Sequence, residues 1–142
     1  MTAGGDAAGR RSEEKSRAGP RGELTLRTIA MPANTNPSGD IFGGWIMSLM
    51  DLAAGLAARE YANGRVVTAA VSNLSFLAPV KVGDAVCCYA DLMRAGRTSM
   101  VFAIETWRLP HLTQGGRLKV TEAEFTMVAV DEEGRPRLLA AR

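Results

Sequence analysis

Residues 31–60 read MPANTNPSGDIFGGWIMSLMDLAAGLAARE, and the interpretation of this stretch decides the rest of the chain. It opens as a loop rich in Pro, Asn and Gly, passes Asp40 and the pair Gly43–Gly44, and enters a long apolar segment. Asp40 can cap the helix or sit beside its first turn, and no proline interrupts the segment beyond it. From Trp45 to Ala58 the residues are Met, Leu, Ile and Ala on nearly every side, the composition of a buried helix. The one charge in that run is Asp51. An unpaired carboxylate in such a setting is costly, so Asp51 is the most informative residue of the chain.

The sequence has 142 residues and a net charge of +2, enough for one domain with a full core and too balanced to indicate a nucleic-acid partner. Seven Met and few aromatics fit an adaptable core or an apolar ligand tunnel. Cys87 and Cys88 are adjacent; on a strand they point to opposite faces, so they neither bridge each other nor form a metal site. This is the pattern of a reducing, cytoplasmic protein. Residues 1–22 mix small residues with both charge signs and read as a disordered tail without a signal peptide, leaving 23–138 as the folded domain. The apolar run from Ile41 to Ala58 has roughly the length of a membrane span. Its central Asp51, its glycines and the lack of basic flanks favour a buried helix over a span.

Around that helix the chain alternates. Glu23–Ala30 is a first strand, and the helix runs from about Gly43 to Ala62 and stops at Asn63–Gly64. Arg65–Ala78, Ala85–Arg94, Thr98–Leu109 and Lys119–Asp131 are long strands joined by turns. A short arginine-rich tail comes after Glu133–Gly134. The result is an α+β fold, a long central helix wrapped by a curved antiparallel sheet and by a partner chain.

Several chemistries are excluded. The single histidine, His111, lies in a polar loop after Pro110 and cannot serve a Ser–His–Asp or Cys–His triad. One loop histidine and two adjacent cysteines cannot build a zinc site. Any enzymatic base is therefore a carboxylate. A helix N-terminus whose glycines allow close backbone approach suits an oxyanion, as formed when water attacks a thioester or ester. The glycines suit tight packing on the sheet equally well. Asp51 lies seven residues beyond Gly44, about 10 Å along the helix axis. That is too far to serve the same helix's N-terminus. Two antiparallel copies of the helix across a two-fold would bring Asp51 of one chain to Gly43–Gly44 of the other. Alternatively, Asp51 is a buried carboxylate bonded to a neighbour such as Ser48.

The run N-P-S-G-D-I-F-G-G-W-I-M-S-L-M-D resembles the loop-and-helix signature of hotdog-fold acyl-CoA thioesterases of the YciA type. The similarity continues through Asn63–Thr68, Pro79–Tyr89, Gly96–Ser99 and Thr121–Asp131. It covers about residues 24–138. The resemblance implies a hotdog fold and hydrolysis of acyl-CoA to free acid and CoA, with no cofactor other than the CoA of the substrate. It implies a homodimer with shared sites, assembled as a trimer of dimers. Asp51 falls on the catalytic carboxylate position, as general base or nucleophile, and Gly43 and Gly44 on the oxyanion-binding helix start. Asp40 matches a polar position that orients water or carbonyl. Gly96, Arg97, Thr98 and Ser99 fall where a strand turn meets the CoA phosphate and pantetheine arm. Ser72 and Ser75 depart from close relatives, which carry an acidic residue and an Asn there. A non-catalytic acyl-CoA-binding hotdog module is the alternative. A hotdog dehydratase or hydratase ranks last, because it would want a histidine partner.

Overall fold

The computed structural model describes residues 19–109 and 116–140. Its elements are β1 (Glu23–Ile29), α1 (Gly43–Ala62), β2 (Val66–Phe76), β3 (Ala85–Ala95), β4 (Ser99–Leu109) and β5 (Leu118–Ala129). The strands form one antiparallel sheet in the order β1-β3-β4-β5-β2. The helix packs against all five of them.

Alternation in β3, β4 and β5 turns every second side chain toward the helix. Val86 and Cys88, Met100, Phe102 and Ile104, and Phe125 and Met127 form the core with Ile46, Met50, Ala53, Ala54, Ala58 and Ala62 of α1. The small alanines let the helix lie close to the sheet, and the larger Ile46 and Met50 fill the space ahead of them. Cys88 belongs to this core and meets the Thr106 hydroxyl at 3.5 Å, whereas Cys87 points to the other face and accepts from Arg27 Nε at 3.1 Å. Both thiols are free. The expected opposition of the two side chains is realised.

The helix differs from expectation in one respect. Within one chain it is buried on a single face, because the sheet lies on one side of it only. Asp51, Leu52 and Leu56 are exposed. Strand β2 lies at the sheet edge beside β5 and is likewise exposed along nearly its whole length. Val71, paired with the core residue Phe125, is on the helix side of β2 and is exposed, as are Leu52 and Leu56, and Val67 is exposed on the opposite face of the strand.

The helix ends where expected. Asn63 adopts the left-handed conformation (φ 52°) and its amide donates to the carbonyls of Arg59 and Glu60. Beyond β5, the tail turns at Asp131–Arg135 and returns so that Arg137 Nη2 donates to Ala62 O at 2.9 Å. A side-chain cation thus closes the C-terminal end of the helix.

The residues expected to form the tail are described only from Gly19 onward. There Arg21 pairs with Asp91, and its amide donates to Glu105. His111 lies outside the described residues. Among the described residues no helix is long and apolar enough to cross a membrane.

Candidate active site

The loop before α1 is built from its own polar side chains. Asn34 Oδ1 accepts from the Met31 amide at 3.0 Å, and Asn34 O accepts from the Phe42 amide at 2.9 Å. Asn36 Oδ1 accepts from the amides of Ser38 and Asp40, at 2.9 and 3.0 Å. The Asn36 amide in turn donates to Asp40 O. Gly39 supplies the positive φ (85°) that this tight turn requires. The Ile41 amide donates to Val80 O, so the helix start is fixed to the turn between β2 and β3.

Asp40 does not cap the helix. The capping position is Phe42, with no side-chain bond to the first turn, and the Asp40 carboxylate is paired with the Lys81 ammonium instead. The chain direction explains this: Asp40 sits two residues ahead of the cap, with Asn36 holding its backbone at both ends, and its side chain turns to the nearby cation. The first-turn amides of α1 therefore have no side-chain cap.

Gly43 and Gly44 differ in what their surroundings require. A Cβ on Gly43 would stand 3.1 Å from the Phe76 ring, so packing accounts for glycine there. A Cβ on Gly44 would meet nothing within 4 Å. Among the described residues nothing requires Gly44 to lack a side chain, and its backbone is exposed.

Asp51 emerges on the uncovered face of α1. Its Oδ1 accepts from the Thr68 hydroxyl at 2.5 Å. Ser48, the neighbour expected as a partner, donates instead to Trp45 O at 2.6 Å. Ser48 closes on its own helix turn, a local bond that a serine in a helix readily makes. Thr68 is the residue that sequence reasoning missed. It was legible only as the end of the Asn63–Thr68 motif, and it meets Asp51 because β2 runs back beside the helix that precedes it. A carboxylate held by one hydroxyl and open on its other side is oriented but still able to accept a proton or attack.

Gly96–Thr98 form the β3–β4 turn, closed by the Gly96 amide on Ser99 O at 2.8 Å. Thr98 O accepts from the Ala129 amide and Arg97 O from the Leu139 amide, so the turn is tied to both β5 and the tail. The Arg97 side chain is exposed. The structure therefore brings together two groups in one chain: Asp51 with Thr68, and Asp40 with the helix start. The 96–99 turn lies at the Thr68 end of the sheet, with Ser99 and Val67 both paired to Val128 from opposite sides of β5. Ser72 and Ser75 flank a bulge in β2 at which Asn73 takes a positive φ (54°) and its side-chain Nδ2 donates to Glu124 Oε2 at 3.2 Å. Among the described residues no group of three or more His, Cys, Asp or Glu side chains could hold a metal ion.

This arrangement can be set beside known proteins. Residues 38–113 match the family model of the thioesterase superfamily. The acyl-CoA thioester hydrolase YciA of Escherichia coli strain K12 is 54% identical over 122 residues, covering 84% of this chain and 92% of that protein. A hexameric thioesterase from Yersinia pestis superposes with a TM-score of 0.82 at 53% identity, covering 87% of this chain and 99% of the other. A hexameric broad-specificity acyl-coenzyme A thioesterase gives a TM-score of 0.82 at 48% identity over 87% of this chain and 85% of that one. The helix against five antiparallel strands, the motif segments and these similarities agree: the chain belongs to the hotdog-fold thioesterase superfamily, among its YciA-type acyl-CoA thioester hydrolases.

Proposed function

We propose that this protein hydrolyses acyl-CoA to the free acid and CoA in a site shared between two subunits. Asp51 of one subunit acts on a carbonyl held by the Gly43 and Gly44 amides of the other. The observation that carries the reading is Asp51 itself, a carboxylate oriented by Thr68 on the one helix face that its own sheet leaves open.

An exposed apolar edge strand beside an exposed apolar helix face calls for a partner. A second copy placing β2 against β2 satisfies both at once, in the self-complementary manner of a two-fold interface. The helices then run antiparallel, which removes the separation of about 10 Å between Asp51 and Gly44 within one helix. Helix-start amides aimed at the thioester oxygen stabilise the charge that develops there. Asp51 either takes a proton from water or attacks the carbonyl itself; both routes use the same carboxylate. The hexamers formed by similar thioesterases support assembly of three such dimers. The exposed Arg97, with its planar fork of donors, suits a CoA phosphate, and Gly96, Thr98 and Ser99 shape the turn that presents it.

The test is CoA release from acyl-CoAs of increasing chain length by wild type and Asp51→Asn, with CoA binding measured for both. Turnover by wild type, with binding but no turnover by the variant, supports the reading. Binding without hydrolysis by either protein would make this a binding module and overturn it.

A further inference from the structure

The Asp40 carboxylate is paired with the Lys81 ammonium, and two features set this pair apart from an ordinary surface ion pair. The loop that carries Asp40 does not depend on it. Asn36 already bonds the Asp40 backbone at both its amide and its carbonyl, and the Ile41 amide already ties the loop to Val80 O at 3.2 Å. The ion pair therefore acts on the carboxylate rather than on the chain.

Lys81, for its part, stands on a fixed base. Its amide donates to Asp84 Oδ2 at 2.9 Å, and the Asp84 amide donates back to Lys81 O at 3.1 Å. Gly83 turns the chain with a positive φ (93°), and Ala30 exchanges bonds with this turn at both Gly83 and Asp84. Asp84 is 4% exposed and faces the Arg108 guanidinium at 3.5 Å.

Asp40 is only three residues ahead of Gly43, where the helix amides begin. A bare carboxylate there would oppose the build-up of negative charge on a carbonyl oxygen at those amides, because like charges at close range disfavour each other. We infer that Lys81 is a positioning residue for hydrolysis: its ammonium neutralises Asp40 and fixes the direction of that carboxylate beside the helix start. The inference rests on the proposed use of Asp51 and the Gly43–Gly44 amides.

Steady-state hydrolysis and thermal unfolding of wild type, Lys81→Ala, Lys81→Arg, Asp40→Asn and the Asp40→Asn/Lys81→Ala double variant test it, with Asp51→Asn as a control. Lys81→Ala is expected to lower kcat about tenfold with KM within about twofold, the scale of one like charge near a partly exposed site. Lys81→Arg should restore most of that loss. In the Asp40→Asn background, Lys81→Ala should cause no further loss. An equal loss in both backgrounds would overturn the inference, as would a loss that tracks a fall in melting temperature. A rise in KM with kcat unchanged would overturn it too, making Lys81 a phosphate contact instead. Full turnover by Asp51→Asn would instead remove the catalytic reading itself, whatever Lys81 does.

Discussion

The Thr68 hydroxyl donates to Asp51 Oδ1 across 2.5 Å, joining the edge strand to the exposed face of the helix. The bond orients a carboxylate that has no other hydrogen-bond partner within its own helix. It also places the proposed base where the two uncovered apolar surfaces meet.

Replacing Thr68 by Val keeps the shape and removes the donor. A hydrogen bond to a charged group is worth about 1.5–3 kcal/mol, so kcat should fall about ten- to a hundredfold. Thr68→Ser should retain most activity. Steady-state rates of the two variants check this, and a Val variant as fast as wild type would remove Thr68 from the site.

Gly44→Ala separates a packing role from a backbone role. The added methyl meets nothing within 4 Å among the described residues, so the folded subunit should keep its helix content by circular dichroism. In the proposed shared site that methyl would stand between the helix amides and the thioester, and turnover should drop at least about tenfold. Gly43→Ala should instead displace the Phe76 ring, which is half exposed and able to yield.

Leu52 and Leu56 face outward from the helix beside Asp51. A Leu52→Asp/Leu56→Asp double variant should dissociate the proposed dimer and abolish hydrolysis together, because each proposed site draws on two chains. Sedimentation velocity at micromolar protein reads the first effect and CoA release the second. Monomers that remain fully active would refute a shared site.

Burial pushes the Cys88 thiol from 9.0 up to about 11, partly offset by its bond to Thr106. Below pH 9 the thiol is protonated in both folded and unfolded chains. Between pH 9 and 11 the unfolded chain loses this proton and the folded chain keeps it, so stability falls as pH rises through that window. Each pH unit of difference is worth about 1.4 kcal/mol, so the total loss is at most about 3 kcal/mol. Urea unfolding at pH 8, 9, 10 and 11 should show a shallower decline for Cys88→Ala than for wild type.

Arg137 bonds the last helical carbonyl, Ala62 O, and also Val130 O. Arg137→Ala should cost about 1–2 kcal/mol in unfolding free energy through the loss of charge-assisted bonds. Denaturant titration measures it.

Much of this molecule was determined by short stretches of sequence. The run Gly43–Ala62 forms a helix because it is rich in Ala, Leu and Met, with Ile46 its one β-branched residue, and Asn63 accepts the left-handed turn that ends it. The strands arise from alternation, and the same two-residue period separates Cys87 from Cys88. The motif around Asp51 carried the family. The features that the sequence left open depend on contacts between distant residues. Asp51 was legible as important but not as exposed, because exposure depends on which side of the helix the sheet covers. Thr68 meets Asp51 from 17 positions away and Lys81 meets Asp40 from 41, and neither distance matches a helix or strand period. Those pairings were decided by strand order, which sets β2 at the edge beside β5, and by the turn that lays Val80 against Ile41. Propensity and periodicity act over a few residues, whereas the choice of which surfaces meet belongs to the folded chain as a whole.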